Sequence, residues 1–253
     1  EQYITLRVNT LKTERSHVIN ILSENGIKCA KTEQSPYGVR ILQSADIPTL
    51  ERLVGDLAFV EDEASQIAVS ALDVQKGMTV FDVCAAPGGK SLCAAIAMEN
   101  EGSISSYDLH ENKIDLIKKA AEKAGIDIIH AEVRDGRIPP CEEFLSTADR
   151  VICDVPCSGL GVIGKKPDLR YKDMSSVDSL LNTQYEILSQ SVKYLKAGGR
   201  LLYSTCTLNK AENSDTVEKF LKENTAYKLI KQQTLMPHTD GTDGFYIAVI
   251  EKI

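Results

Sequence analysis

From residue 79 onward the chain alternates short apolar runs with amphipathic stretches, and this rhythm constrains the fold more than any other feature. The runs 79–84, 103–109, 127–131, 150–154 and 200–205 read as strands, and 90–98, 111–124, 177–195 and 210–223 as helices. Strands alternating with helices at this spacing build βαβ units, whose right-handed crossovers give a parallel sheet with helices on both faces. In an open sheet of that kind, ligands gather at the carboxyl edge of the strands. Three strand ends on that edge carry chemistry. The run 79–84 leads into Ala85-Ala86-Pro87-Gly88-Gly89-Lys90-Ser91, 150–154 leads into Pro156-Cys157, and 201–205 delivers Thr205-Cys206-Thr207.

Upstream, residues 3–9 alternate apolar and polar as a half-buried strand does. Thr13 is expected to cap a helix bearing Val18, Ile21 and Leu22 on one face, with Gly26 at its end. Segments 27–33 and 39–42 read as short strands around the turn Ser35-Pro36-Tyr37-Gly38. Residues 1–60 are therefore expected to form a small α+β domain, in which seven Lys/Arg balance seven Asp/Glu. An amphipathic helix over 61–73 opens a second domain, 61–253, and two extended runs, 227–232 and 244–252, close it.

No stretch reaches the roughly 18 apolar residues needed to span a bilayer, and no signal-peptide pattern opens the chain, so a cytoplasmic protein is expected. The first residue is Glu1 and a strand follows almost at once, which suggests that the start of a longer protein has been removed. The net charge of -7 disfavours a polyanionic partner unless a local basic stripe provides for one. Seven cysteines, odd in number and never spaced C-x-x-C, and four dispersed histidines point to free thiols and to neither a disulfide scaffold nor a metal site. Inert thiols are the expectation for Cys29, Cys84, Cys93, Cys141 and Cys153.

The loop 85–91 looks like a phosphate loop, but Cys84 stands where that pattern needs its first glycine, and the G-x-G-x-x-G dinucleotide fingerprint is absent. What remains is a tight turn presenting backbone N–H groups at a helix N-terminus, suited to a carboxylate. About twenty residues further on, a strand ends in Asp108, where an acid commonly receives ribose hydroxyls. The pair suggests a nucleoside bearing a carboxylate, such as S-adenosylmethionine. A turn serving only close packing is the alternative.

FDVCAAPGGKS, DVPCSGLGVIGKKPDLR and YSTCTLNKAEN, in that order and flanked by EDEASQIA and DGFYIAVIEK, resemble the RNA cytosine-5 methyltransferases, most closely their bacterial small-subunit rRNA branch. The resemblance covers nearly the whole chain. It implies an α/β, class I (Rossmann-like) methyltransferase fold: a seven-stranded, mostly parallel sheet with its last strand antiparallel, helices on both faces, and a small α+β domain before it. It also implies S-adenosylmethionine as cofactor, RNA as partner, with small-subunit rRNA foremost, and no membrane or metal; a monomer is expected. Members of that branch usually carry a further helical, NusB-like RNA-binding domain at the N-terminus, which fits the expectation of a removed start. Carried over by position, Cys84, Ala85, Ala86, Pro87, Gly88, Gly89 and Lys90 would wrap the methionine end of the cofactor. Asp108 would take the ribose hydroxyls, Asp135 would approach the adenine amino group, and Asp154 would sit between cofactor and target base.

C5 of cytosine is too weak a nucleophile to take a methyl group directly, whereas a thiolate added at C6 makes the ring enamine-like and C5 reactive. One cysteine suffices, and strand position alone does not say whether Cys157 or Cys206 attacks. The resemblance assigns attack to Cys206 and leaves Cys157 for proton removal or product release. A free thiol ionises near pH ~8.5, so the site should lower that value, and Lys90 is a candidate for doing so. Asp154 is a candidate for hydrogen bonding to the cytosine edge. The segment 157–172 carries four cations, Lys165, Lys166, Arg170 and Lys172, against one acid, Asp168, and is expected to hold RNA phosphates beside the flipped base. Two other readings stand: a methyltransferase acting on an exocyclic amine through Asp154-Val155-Pro156, and an RNA-binding or ribosome-assembly module without turnover. A phosphate-loop NTPase is a poor third.

Overall fold

The computed structural model describes residues 3–171 and 177–253. The chain opens with β1 (Thr5–Val8), α1 (Arg15–Glu24), β2 (Cys29–Lys31), β3 (Gly38–Ile41), α2 (Ile47–Val54) and β4 (Ala58–Val60). This βαββαβ succession makes an antiparallel sheet in the order β2-β3-β1-β4. Its inner face buries Leu6, Val8 and Val39 against Val18 and Leu22 of α1 and Leu50 of α2. Each apolar side chain so buried contributes about 1.5–3 kcal/mol. Two local expectations are corrected. Helix α1 starts at Arg15 with Glu14, not Thr13, at its N-cap and no side-chain cap bond. Helix α2 went unforeseen, although Asp46 caps it through Thr49 N at 2.9 Å and Pro48 stands in its first turn.

The second sheet arises from α3 (Glu63–Leu72), β5 (Thr79–Asp82), α4 (Gly89–Ala97), β6 (Ser103–Asp108), α5 (Glu111–Ala124), β7 (Ile129–Val133), β8 (Ala148–Asp154), α6 (Val177–Ser191), β9 (Leu195–Thr205), α7 (Ser214–Glu223), β10 (Tyr227–Leu235), α8 (Pro237–Asp240) and β11 (Phe245–Lys252). Seven strands lie in the order β10-β11-β9-β8-β5-β6-β7. β9, β8, β5, β6 and β7 pair in parallel, and β11 runs antiparallel to both β9 and β10. The reversed strand is the last one, as expected for this architecture.

Adjacent strand residues face opposite ways, so alternate positions feed two cores. Val80, Ile104, Ile152 and Leu202 pack under α3, α4 and α5. Phe81, Val151, Leu201 and Tyr203 pack under α6 and α7. Chain order reverses between β5 and β8, and this switch point opens a crevice at the carboxyl ends of those two strands. The stretch expected as one helix over 210–223 is split: Lys210–Glu212 forms a single tight turn and α7 begins only at Ser214. The break turns Glu212 and Asn213 inward. Among the described residues no helix is long and apolar enough to cross a membrane.

Candidate active site

β5 ends at Asp82, and the glycine loop turns the chain into α4. Gly88 takes the N-cap position at φ +110°, a left-handed conformation that glycine alone adopts without strain. A side chain at Gly89 would collide with the Glu61 carboxylate, which lies against the start of α4. Beneath the loop, the 1 % exposed Asp82 accepts through Oδ2 from Ser91 Oγ at 2.7 Å, and Ser91 Oγ lies 2.8 Å from Ser106 Oγ. Asp82 Oδ1 is buried without a hydrogen-bond partner. Burial pushes this carboxyl up to about 7.

A cavity of about 330 Å³ opens above the switch point. The glycine loop and Asp82 form one wall, Asp154, Cys206 and Lys166 the other, and Glu61 and Phe245 close it. Lys90 crosses it: its Nζ lies 2.8 Å from Asp154 Oδ2, 3.3 Å from Ser65 Oγ and 5.3 Å from the Phe245 ring centre. Burial opposes the charge on Lys90, but Asp154 and Glu61 outweigh it and hold the ammonium well above its ordinary pKa. Burial in turn pushes the Glu61 carboxyl up, against the pull of Lys90. Asp154, the last residue of β8, accepts through Oδ1 from Ser204 Oγ of β9 at 2.6 Å. Both of its oxygens are thereby fixed.

The two cysteines meet. Cys157 Sγ and Cys206 Sγ are 3.3 Å apart, each just past the end of its strand. Cys206 lines the cavity on the side of Lys90. The hydrogen bond from Cys157 holds the Cys206 thiol below its ordinary range, with Lys90 adding to the effect, while the same contact and burial push Cys157 up. Cys206 is thus the member of the pair that ionises first. Burial pushes Cys84, Cys93 and Cys153 up, the last two to about 12, so these thiols stay protonated. The backbone of the Cys157 loop threads past this point: Gly161 N donates to Cys206 O at 2.9 Å, and Gly244 N donates to Gly161 O at 2.9 Å.

The remaining sequence candidates take other positions. Asp108 ends β6, one strand over from β5; it is 7 % exposed, accepts from His110 N at 3.1 Å and lies 3.6 Å from Lys113 Nζ. Asp135 follows β7 and is forked by Arg137 at 2.7 Å, which holds its carboxyl below the usual range. Neither lines the cavity over β5 and β8, though both stand on the same sheet edge. Lys166 lines the cavity and Arg170 sits in the exposed turn Pro167–Tyr171, whereas Lys165 is pinned between Asp62 at 2.6 Å and Asp243 at 2.8 Å. Burial and Asp62 together push the Asp243 carboxyl up to about 6. Lys172 lies outside the described residues. Sequence reasoning overlooked Glu61, Asp62, Asp82 and Asp243 as walls of this cavity. For Asp82 a signal existed, an acid inside the apolar run 79–84. Among the described residues, no three His, Cys, Asp or Glu side chains stand close enough to hold a metal ion.

Comparison with known proteins adds to this geometry. The family model for 16S rRNA methyltransferase RsmB/F matches residues 69–251, and the model for the ferredoxin-like domain of RsmF/B-like methyltransferases matches residues 1–48. The probable ribosomal RNA small subunit methyltransferase B of Bacillus subtilis is 37% identical across 98% of this chain and 59% of its own length, and that of Synechocystis 32% identical across 98% and 60%. The chain therefore spans about three fifths of the curated relatives it matches. The crystal structure of PH0851 superimposes with a TM-score of 0.95 at 33% identity, covering 100% of this chain and 60% of that one. NSun6 from Pyrococcus horikoshii, solved with SFG, has the same fold at a TM-score of 0.88 and 20% identity, covering 99% of this chain and 91% of that one.

Proposed function

The chain belongs to the RsmB/F family of 16S rRNA methyltransferases, and on that premise we propose that it methylates C5 of a cytosine in small-subunit ribosomal RNA, with S-adenosylmethionine as methyl donor. The observation that carries this reading is the thiol pair 3.3 Å apart, with Cys206 facing a cavity that the glycine loop walls on the other side. The cavity suits the cofactor. Five carboxyls line it (Glu61, Asp62, Asp82, Asp154 and Asp243) against two lysines, Lys90 and Lys166, an acid surplus that favours a ligand bearing an ammonium and a sulfonium. The buried, unpartnered Asp82 Oδ1 can accept a further hydrogen bond, and the first N–H groups of α4 suit a carboxylate. Residues 84–90 would hold the methionine end, with Asp108 and Asp135 further along the same edge for ribose and adenine. When bound, S-adenosylmethionine supplies an electrophilic methyl group on sulfur.

The chain's own residues supply the rest. Cys206, as thiolate, adds through sulfur to C6 of the cytosine, and the displaced ring electrons are taken up at N3 as that nitrogen gains a proton from solvent. Asp154, held by Lys90 and Ser204, hydrogen-bonds the cytosine edge and steadies the protonated ring. C5, now enamine-like, takes up the methyl group. With Cys206 bonded to carbon and no longer a thiolate, Cys157 gives its proton to solvent and, as thiolate, takes the C5 proton. The electrons of that C–H bond re-form the C5–C6 double bond as the Cys206 sulfur leaves as thiolate, and N3 returns its proton to solvent. Lys166 and Arg170 hold RNA phosphates at the mouth, and Lys165 braces the Cys157 loop against Asp62 and Asp243. Residues 1–60 act as a small RNA-facing domain, and the protein works in the cytoplasm as a monomer.

Incubating the full-length protein with 16S rRNA and labelled S-adenosylmethionine, then mapping the label, tests the reading. Label at C5 of one cytosine is the expected result. Label on an exocyclic amine, or RNA binding without label, would overturn it.

A further inference from the structure

The loops after β8 and β9 meet on one buried carboxylate. Glu212 is fully buried in the turn between β9 and α7. Its Oε1 accepts from Ser158 Oγ at 2.5 Å and Asn209 Nδ2 at 3.1 Å, and its Oε2 from Ser158 N at 2.8 Å and Gln184 Nε2 at 3.0 Å. Ser158 follows Cys157, and Asn209 lies just past Cys206. Ser158 Oγ also lies 2.8 Å from Thr207 Oγ1, so the two cysteine loops touch directly and through Glu212. Four donors converge on a group whose ionised form offers only acceptors, and an amide there would turn an N–H toward an N–H or O–H.

The two loops do not depend on Glu212 equally. Cys206 follows directly on β9, and its neighbours are held independently of the carboxylate: Thr205 Oγ1 donates to Asn213 Oδ1 at 2.5 Å and Asn213 Nδ2 to Thr207 O at 2.9 Å. Around Cys157, the Ser158 N–H and hydroxyl both end on Glu212, and Pro156 O accepts from Gln184 Nε2 at 2.9 Å, the same amide that donates to Glu212. Loss of the carboxylate would free Cys157 far more than Cys206.

We infer that Glu212 is a positioning residue that holds Cys157 against Cys206 and so governs release of the covalent RNA adduct more than its formation. The adduct half of this rests on the function proposed above; the thiol spacing does not. Glu212→Gln should accumulate an RNA–protein adduct on a denaturing gel although Cys157 is present, with KM for S-adenosylmethionine unchanged because the glycine loop is not tied to Glu212. A merely structural role would lower adduct and product together, and that result would overturn the inference.

The second readout needs no RNA. Treating the full-length protein with diamide couples two adjacent thiols: they give up two protons and two electrons, the S–S bond forms, and the diazene N=N becomes HN–NH. Peptide mass mapping then follows the Cys157–Cys206 bond. Wild type should couple readily, Glu212→Gln about tenfold more slowly, and Ser158→Ala more slowly in the same direction. Ser158→Ala carries the same readout should Glu212→Gln fail to fold. Equal coupling rates across the three proteins, or no coupling in wild type, would overturn the positioning role. Absence of any RNA adduct in Cys157→Ala as well would instead defeat the proposed function, leaving the coupling rates to decide on Glu212.

Discussion

The two walls of the cavity are made of different material. Around β5 the wall is main chain: a turn with Gly88 in a left-handed conformation and Gly89 bare against Glu61, its position set by where the backbone goes. Around β8 and β9 the wall is side chain, Asp154 held by Ser204 and the Cys206 thiol backed by Cys157, behind which Ser158, Glu212 and Asn213 hold the two loops. A main-chain wall fixes donors and shape with few side chains and tolerates little added bulk. A side-chain wall can tune ionisation and move protons, and it fails one hydrogen bond at a time.

The sharpest way to break that contrast is at the thiols. Cys206→Ser should lower methyl transfer to rRNA by at least about 10³-fold, measured as incorporated label, whereas Cys157→Ala should leave a covalent adduct on a denaturing gel. Identical behaviour of the two variants would erase the asymmetry that their opposite pKa shifts indicate. Next in size, Asp154→Asn removes the charge that Lys90 pairs with, and kcat should fall about 10²-fold. An unaltered kcat would separate Asp154 from the chemistry.

Added bulk probes the backbone of both walls, at Gly161 in the Cys157 loop and at Gly89 in the glycine loop. A side chain at Gly161 would collide with the Gly244 carbonyl oxygen, so Gly161→Ala should cost about 1–3 kcal/mol in urea unfolding. Gly89→Ala meets only the movable end of Glu61 and should cost less; the reverse ranking would show that the Glu61 carboxylate is held as firmly as backbone. The smallest effect concerns pH. Asp82 has a folded pKa of about 7 against 3.8 as the ordinary value, so the fold binds its proton more tightly than the unfolded chain does. The stability this gives is fully present below the ordinary value and is lost as pH rises through about 7. Ser91→Ala removes the hydrogen bond that lowers this pKa, so the stability gap to wild type should widen by about 1 kcal/mol between pH 5 and pH 8. A gap independent of pH would detach Asp82 from Ser91.

The same contrast explains what could be read from the sequence. Main-chain features come from neighbouring residues: the strand–helix rhythm, the glycine turn and the strand-end cysteines are contiguous in the chain and were legible there. The side-chain network joins distant positions. Glu212 carries helical propensity and was expected inside a helix, yet Ser158 and Gln184, 54 and 28 residues away, draw it inward and break that helix after Glu212. Lys165 reads from the sequence as one of four cations in a loop expected to hold RNA phosphates; Asp62 and Asp243, 103 and 78 residues away, take its charge. The caps of α2 at Asp46 and Pro48 were local and readable, and were overlooked.

β8 and β9 run side by side in register, Cys153 beside Tyr203 and Asp154 beside Ser204. The paired strands act as a ruler whose zero lies at Asp154 and Ser204, with the thiols three and two residues past it. One inserted residue on either side adds about 3.3 Å of chain, as much as the whole 3.3 Å between the sulfurs. An insertion between strand end and thiol would therefore part the two sulfurs, and that interval is a fixed dimension of the site.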